Sequence, residues 1–99
     1  WFNRTRKTFV HAVIAVREGI KVEFSQTIIK AMQEGVQSLD NIAKDQAKKT
    51  GQPIALLQDY LKNKIRYDFG EEEMEGLLHF QSLCYEAGLI PKKFSLKFV

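Results

Sequence analysis

Two histidines and one cysteine are the side chains best suited to carry chemistry in this 99-residue sequence. His11 lies in a β-branched, nearly uncharged stretch, where an imidazole could bind a ligand or act as a base. The alternative for His11 is an imidazole whose hydrogen bond is taken by a neighbouring carbonyl. His79 is expected on the exposed side of a helix. Cys84 falls in an apolar helical stripe, which indicates a core residue rather than a nucleophile.

Acidic residues concentrate after residue 70 at Glu71, Glu72, Glu73 and Glu75. A helix that starts there would place them at the positive end of its dipole, which explains the run without catalysis. The alternative is an acid/base pair, but exposed neighbouring glutamates rarely have the shifted pKa that such a role needs. The sequence has no metal-ligand spacing and no glycine-rich phosphate loop, so we expect no metal site. Residue chemistry alone therefore predicts no complete active site.

The segment that must position His11 is Thr8–Val16. Both of its faces would be apolar apart from His11, a pattern typical of a strand covered by helices on both sides of a mostly parallel sheet. A buried strand needs neighbours for its backbone hydrogen bonds, and no comparable strand follows in the sequence. We therefore predict an α/β fold with one central strand, about four helices and a short extended tail, in which these residues belong to a larger protein.

Apolar periodicity predicts the four helices at about Val22–Glu34, Val36–Lys49, Ile54–Ile65 and Glu71–Ala87. Residues that suit helix ends flank them. Gly35, Gly51 and Gly88 suit the position after a helix, Pro53 suits a helix start, and Asp68 or Gly70 could cap the last helix. The alternating tail after Pro91 indicates an edge strand or an extended segment.

Charge and composition exclude several classes of function. The net charge is +3, with basic clusters at Arg4, Arg6 and Lys7 and at Lys92, Lys93 and Lys97. These clusters are too small for a nucleic-acid interface, so we predict no nucleic-acid partner; if they are not simply solvated, arginine favours a small carboxylate ligand. No apolar run approaches the roughly 20 residues of a membrane span, so no membrane partner is expected. A single cysteine favours a cytoplasmic location.

Two stretches share residue types and spacing with a known family. The first consists of Trp1, Thr5, Phe9, Val10 and Ala12. The second consists of Tyr60, Leu61, Ile65, Tyr67, Asp68, Gly70, Glu72, Glu73, Gly76, Leu77, Phe80, Glu86 and Gly88–Pro91. Both resemble segments of the chorismate dehydratases of the futalosine route to menaquinone.

The resemblance implies a cytoplasmic carbon–oxygen lyase that converts chorismate to 3-[(1-carboxyvinyl)oxy]benzoate by loss of water, without a metal or organic cofactor. It implies a two-lobed fold like that of type 2 periplasmic binding proteins, of which residues 1–99 would be a C-terminal segment. Residues 1–18 would be the strand crossing between lobes, residues 19–91 the helical cover of the first lobe, and residues 92–99 an extended tail.

In this interpretation the segment is mainly scaffold, and the catalytic residues lie in preceding sequence. Thr8, Phe9 and His11 are the candidates for contact with a small carboxylate substrate, because a crossing between lobes borders their cleft. Two alternatives stay open. One is a non-catalytic solute-binding protein of the same fold, and the other is a helical interaction module in which Phe9–Val16 begins a buried helix.

Overall fold

The computed structural model describes residues 1–98, which divide into two compact units. One unit combines Trp1–Val16 with the chain from Asp68 onward, and the other is Arg17–Tyr67. The described helices are α1 (Phe2–Thr5), α2 (Val22–Gln37), α3 (Leu39–Thr50), α4 (Ile54–Asp59), a π-helical turn (Tyr60–Lys64) and α5 (Glu71–Glu86).

The Arg17–Tyr67 unit contains α2, α3, α4 and the π-helical turn. The last two pack against α3, where Ala43 is fully buried. Asp40, in the first turn of α3, accepts a hydrogen bond from the Gln58 amide at 3.1 Å and pairs with the Lys62 ammonium at 2.7 Å. These contacts attach the start of α3 to the helical run that follows Pro53.

Three residues of this unit were predicted to lie at helix ends, and two of them do. Gly51 has a left-handed φ of 71° and donates its N–H to the Ala47 carbonyl, which ends α3 as predicted. Pro53 precedes the first residue of α4, also as predicted. The expected break at Gly35 is wrong, because α2 continues through it to Gln37, and the chain turns at Ser38 instead.

In the other unit, hydrogen bonds from backbone N–H groups cap both ends of α5. The Gly70 N–H donates to Glu73 Oε2 at 2.9 Å, so Gly70 rather than Asp68 caps the helix. At the far end Gly88 has a φ of 72°, its N–H donates to the Tyr85 carbonyl, and the Leu89 N–H donates to the Cys84 carbonyl. This pair of bonds is the Schellman arrangement, which satisfies carbonyls that the helix leaves free.

The predicted α/β fold class is wrong, because residues 1–98 contain no β-strand and the described elements are helical. Thr8–Val16, the expected central strand, forms neither strand nor helix. The physical reason is pairing: apolar periodicity reports which side chains avoid water, whereas a strand exists only when a second strand accepts and donates its backbone hydrogen bonds. No second strand is present in the described part of the chain.

Gln81 of α5 forms hydrogen bonds with the segment after Pro91, and Lys93 of that segment lies over the ring of Tyr85 in α5. The Gln81 amide donates to the Phe94 carbonyl at 3.0 Å, and the Phe94 N–H donates to Gln81 Oε1 at 2.7 Å. The Gln81 side chain thus makes the two backbone hydrogen bonds with Phe94 that a neighbouring strand would make in a sheet. The last residue of the predicted extended tail, Val99, lies outside the described residues.

Candidate functional site

An aromatic cluster joins the N-terminal stretch to α5. Trp1 lies 5.4 Å from Phe9 and 6.0 Å from Phe80 between ring centroids, and Phe9 lies 5.5 Å from Phe80, all with edge-to-face geometry. Such pairs stabilise a cluster by about 0.5–1.5 kcal/mol each beyond the area that they bury. The three rings therefore fix the position of Phe9 relative to α5.

Both histidines lie at this cluster. The His11 ring is 5.0 Å from that of Phe9, and the His79 ring is 5.7 Å from that of Trp1. His11 is exposed, whereas His79 is half-buried, contrary to the expectation that it faces solvent. No local pattern predicts this juxtaposition, because the two histidines are far apart in the chain.

Thr8 approaches α5 through its backbone. A Cβ atom built on Gly76 would lie 3.0 Å from the Thr8 carbonyl carbon and closer still to its oxygen. Gly76 is buried, so this contact requires a residue without a side chain at that position. This close approach fixes the position of the Thr8 backbone relative to α5, and Phe9 and His11 follow Thr8 in the chain.

The three predicted substrate-binding residues therefore differ in accessibility. Phe9 is 39 % exposed and His11 is exposed, so both can contact a ligand. Thr8 is half-buried and lines a depression of about 350 Å³ on the same unit. The complete lining of this depression is Phe2, Arg6, Lys7, Thr8, Glu72 and Glu75.

Charge pairing dominates one side of the depression. The Lys7 ammonium donates to Glu75 and forms an ion pair with it. This hydrogen bond and the accompanying charge attraction lower the pKa of Glu75 below its ordinary value. A carboxylate held in its ionised form is poorly suited to act as a general acid.

The Arg17–Tyr67 unit has a different kind of depression. Its volume is about 290 Å³, and it is lined by Met32, Gly35, Val36, Leu39, Ile42, Leu61 and Tyr67. Tyr67 donates its hydroxyl hydrogen to the Leu61 carbonyl at 2.9 Å, so its polar atom is already engaged. This lining offers apolar contact and no acid or base.

Metal binding and membrane insertion find no support in the described residues. Among residues 1–98, no group of three His, Cys, Asp or Glu side chains is arranged to hold a metal ion. Within the same residues, no helix has both the length and the apolar character needed to cross a bilayer.

Comparison with known proteins assigns the family. A family model described as menaquinone biosynthesis matches residues 1–86. The chain belongs to this family. The membership confirms the resemblance to the chorismate dehydratases of the futalosine route and indicates an enzyme of menaquinone biosynthesis. No curated protein and no solved structure matches the chain.

The matched residues include both parts of the candidate site. Thr8, Phe9 and His11 were predicted as ligand contacts, whereas their contacts with Trp1, Phe80 and the helix at Gly76 were not predicted. Gly76 and Phe80 are four residues apart and so lie on one face of α5. Which segment packs against that face is decided by tertiary structure, so the spacing alone did not predict the contact.

Proposed function

We propose that this chain is part of a chorismate dehydratase-like lyase, which removes water from chorismate to give 3-[(1-carboxyvinyl)oxy]benzoate. The observation that carries the proposal is the family match over residues 1–86, together with the spacing shared with chorismate dehydratases. As in that resemblance, we propose a cytoplasmic enzyme and a small carboxylate substrate.

The reaction is an elimination. A base takes a proton from a ring carbon, and the electron pair of that C–H bond forms the new C=C bond as the C–O bond to the hydroxyl group breaks. The departing oxygen takes up one proton and leaves as water, and the cyclohexadiene ring becomes a benzoate ring. Aromatisation favours the products, so the protein needs mainly to orient the ring, place a base and exclude bulk water. The candidate site offers groups for orientation: an aromatic surface at Phe9 and an imidazole at His11. We assign no base in this chain and propose that residues outside it supply one.

The test is incubation of the full-length protein with chorismate, followed by mass spectrometry for a product lighter by one water. Formation of the enol-ether benzoate supports the proposal, and unchanged chorismate contradicts it. H11A and F9A separate the contributions of the two side chains. We expect a lower kcat/KM for each, and unchanged turnover in H11A would remove His11 from the site.

The alternative of a helical interaction module has one observation in its favour, although Phe9–Val16, which this alternative expected to begin a buried helix, is not helical. Large apolar side chains on α2 are exposed, among them Val22 at 62 % and Phe24 at 58 %. A surface of this kind is typical of a segment that packs against another protein surface. The two proposals are compatible, because a scaffold segment of an enzyme also needs such a surface.

A further inference from the structure

Arg6 has an unusual backbone conformation at the edge of the depression lined by Thr8. Its φ is 56° and its ψ is 23°, the left-handed region, and it is the only non-glycine residue with a positive φ in the described chain. Its N–H donates to the Phe2 carbonyl at 2.8 Å and ends α1. The conformation costs roughly 1–2 kcal/mol for a residue with a Cβ atom, which glycine would avoid.

This turn places the guanidinium group over an aromatic ring. Arg6 Cζ lies 5.6 Å from the centroid of the Phe2 ring. A guanidinium group held over a ring face can still donate from its N–H groups, in pairs, to an acceptor such as a carboxylate.

The backbone N–H of Arg6 is used at the end of α1, but its guanidinium group is not paired with a carboxylate of the described residues. Within residues 1–98 Arg6 forms no ion pair, whereas its neighbour Lys7 is paired with Glu75. That pairing also neutralises one of the two carboxylates on the rim of the depression.

We propose that the depression between α1 and the start of α5 binds one carboxylate group of a small ligand through the Arg6 guanidinium, beside Thr8. The ligand identity rests on the proposed function, whose substrate carries carboxylates. An arginine fork matches the two oxygens of a carboxylate, and a volume of about 350 Å³ is of the size found for small-ligand sites. Arg6 would be a positioning and specificity residue, with no part in proton transfer.

The experiment uses the full-length protein and two probes, benzoate and benzamide, with binding measured by calorimetry. We expect the wild type to prefer benzoate, and R6M to lose that preference with about a 10-fold or greater loss of benzoate affinity, since a hydrogen bond to a charged group is removed. R4M removes the same charge two residues earlier, away from the depression, and should stay within about twofold of wild type.

R6G is a second variant that separates binding from folding. Glycine avoids the cost of the left-handed conformation, so R6G should unfold at or above the midpoint of the wild type while losing the benzoate preference. Equal binding of benzoate and benzamide by the wild type, or identical behaviour of R6M and R4M, would overturn the proposal. Steady-state turnover of chorismate by the same variants gives the independent result. Wild-type turnover with no effect of R6M refutes only the Arg6 site, whereas benzoate binding that depends on Arg6 without any turnover refutes only the lyase.

Discussion

Gly76 is the residue at which α5 and the N-terminal stretch come closest. A methyl group there would lie 3.0 Å from the Thr8 carbonyl carbon, with backbone rather than a flexible side chain in its way. We expect G76A to destabilise the fold by about 1–3 kcal/mol, because the backbone must move to admit the new group. Urea unfolding followed by circular dichroism measures this change.

Gly35 provides the matched control, since it is also a helical glycine but has nothing within 4 Å of an added Cβ atom. Alanine favours helix by about 0.5–1 kcal/mol over glycine, so G35A should be neutral or stabilising. An equal loss of stability in G76A and G35A would show that the Thr8 contact does not restrict position 76.

Glu75 gives a prediction about protonation. Its pKa lies below the ordinary value of 4.5 chiefly because Lys7 donates a hydrogen bond to the carboxylate. The folded-state pKa is therefore below the unfolded one, so the pair stabilises the fold above pH 4.5 and loses this contribution as the pH falls through the folded-state pKa. Carboxyl titration by NMR should show the Glu75 pKa rising toward 4.5 in K7M.

Asp40 serves as an internal reference in the same titration. Its pKa is lowered mainly by the hydrogen bond from Lys62, and Lys7 does not contribute. We therefore expect K7M to leave the Asp40 pKa unchanged. If both carboxylates shift together in K7M, the cause is a change of fold and not the loss of one ion pair.

At the level of elements, helix positions were predictable because their signals are local. Gly51 and Gly88 both adopt the left-handed conformation that ends a helix, and Pro53 stands before the start of one. Gly35 was misleading because glycine permits a left-handed turn without requiring one, and here it stays inside α2. The π-helical turn at Tyr60–Lys64 had no recognisable signal in the sequence.

The N-terminal stretch was less predictable because its structure depends on distant partners. The apolar pattern of Thr8–Val16 suggested a strand, but within residues 1–98 no other strand pairs with it. The roles of Thr8, Phe9 and His11 as ligand contacts stay predictions. The packing of Phe80 against Trp1 and Phe9 was not predictable, since it joins residues that are far apart in the sequence.

Gln81 supplies the hydrogen bonds between α5 and the backbone of the tail. Gln81 makes two hydrogen bonds with the backbone of Phe94, at 2.7 and 3.0 Å. In Q81A we expect the Phe94 amide to exchange its hydrogen about 10-fold faster, since each such bond contributes roughly 0.5–1.5 kcal/mol. Hydrogen exchange monitored by NMR reports this directly.

Q81E distinguishes the two bonds, because a carboxylate still accepts from the Phe94 N–H but no longer donates to its carbonyl. We expect intermediate protection of the Phe94 amide in Q81E. Unchanged protection in Q81A would mean that other contacts, such as the pair of rings at Phe69 and Phe98, hold the tail.

For the whole molecule, the main feature is how few apolar side chains are covered. Ala43 is the only fully buried apolar residue in the described chain, whereas Ile29, Met32 and Val36 on α2 are each more than 40 % exposed. Burying apolar area is the dominant favourable term in folding, at about 25 cal/mol per Å². The burial of apolar side chains therefore contributes little to the stability of this chain unless another surface covers α2.

This exposure predicts how the 99-residue chain behaves by itself. We expect it to bind the dye ANS and to associate as its concentration rises, because contiguous apolar surface attracts both dye and other copies. In I29Q/V36Q, two exposed apolar residues of α2 become polar, so dye fluorescence and the sedimentation coefficient at high concentration should both fall. K30Q/E34Q changes two exposed polar residues of the same helix at constant net charge and should leave both measurements unchanged. A monomer that binds no dye would show that the apolar face of α2 is covered within the chain itself.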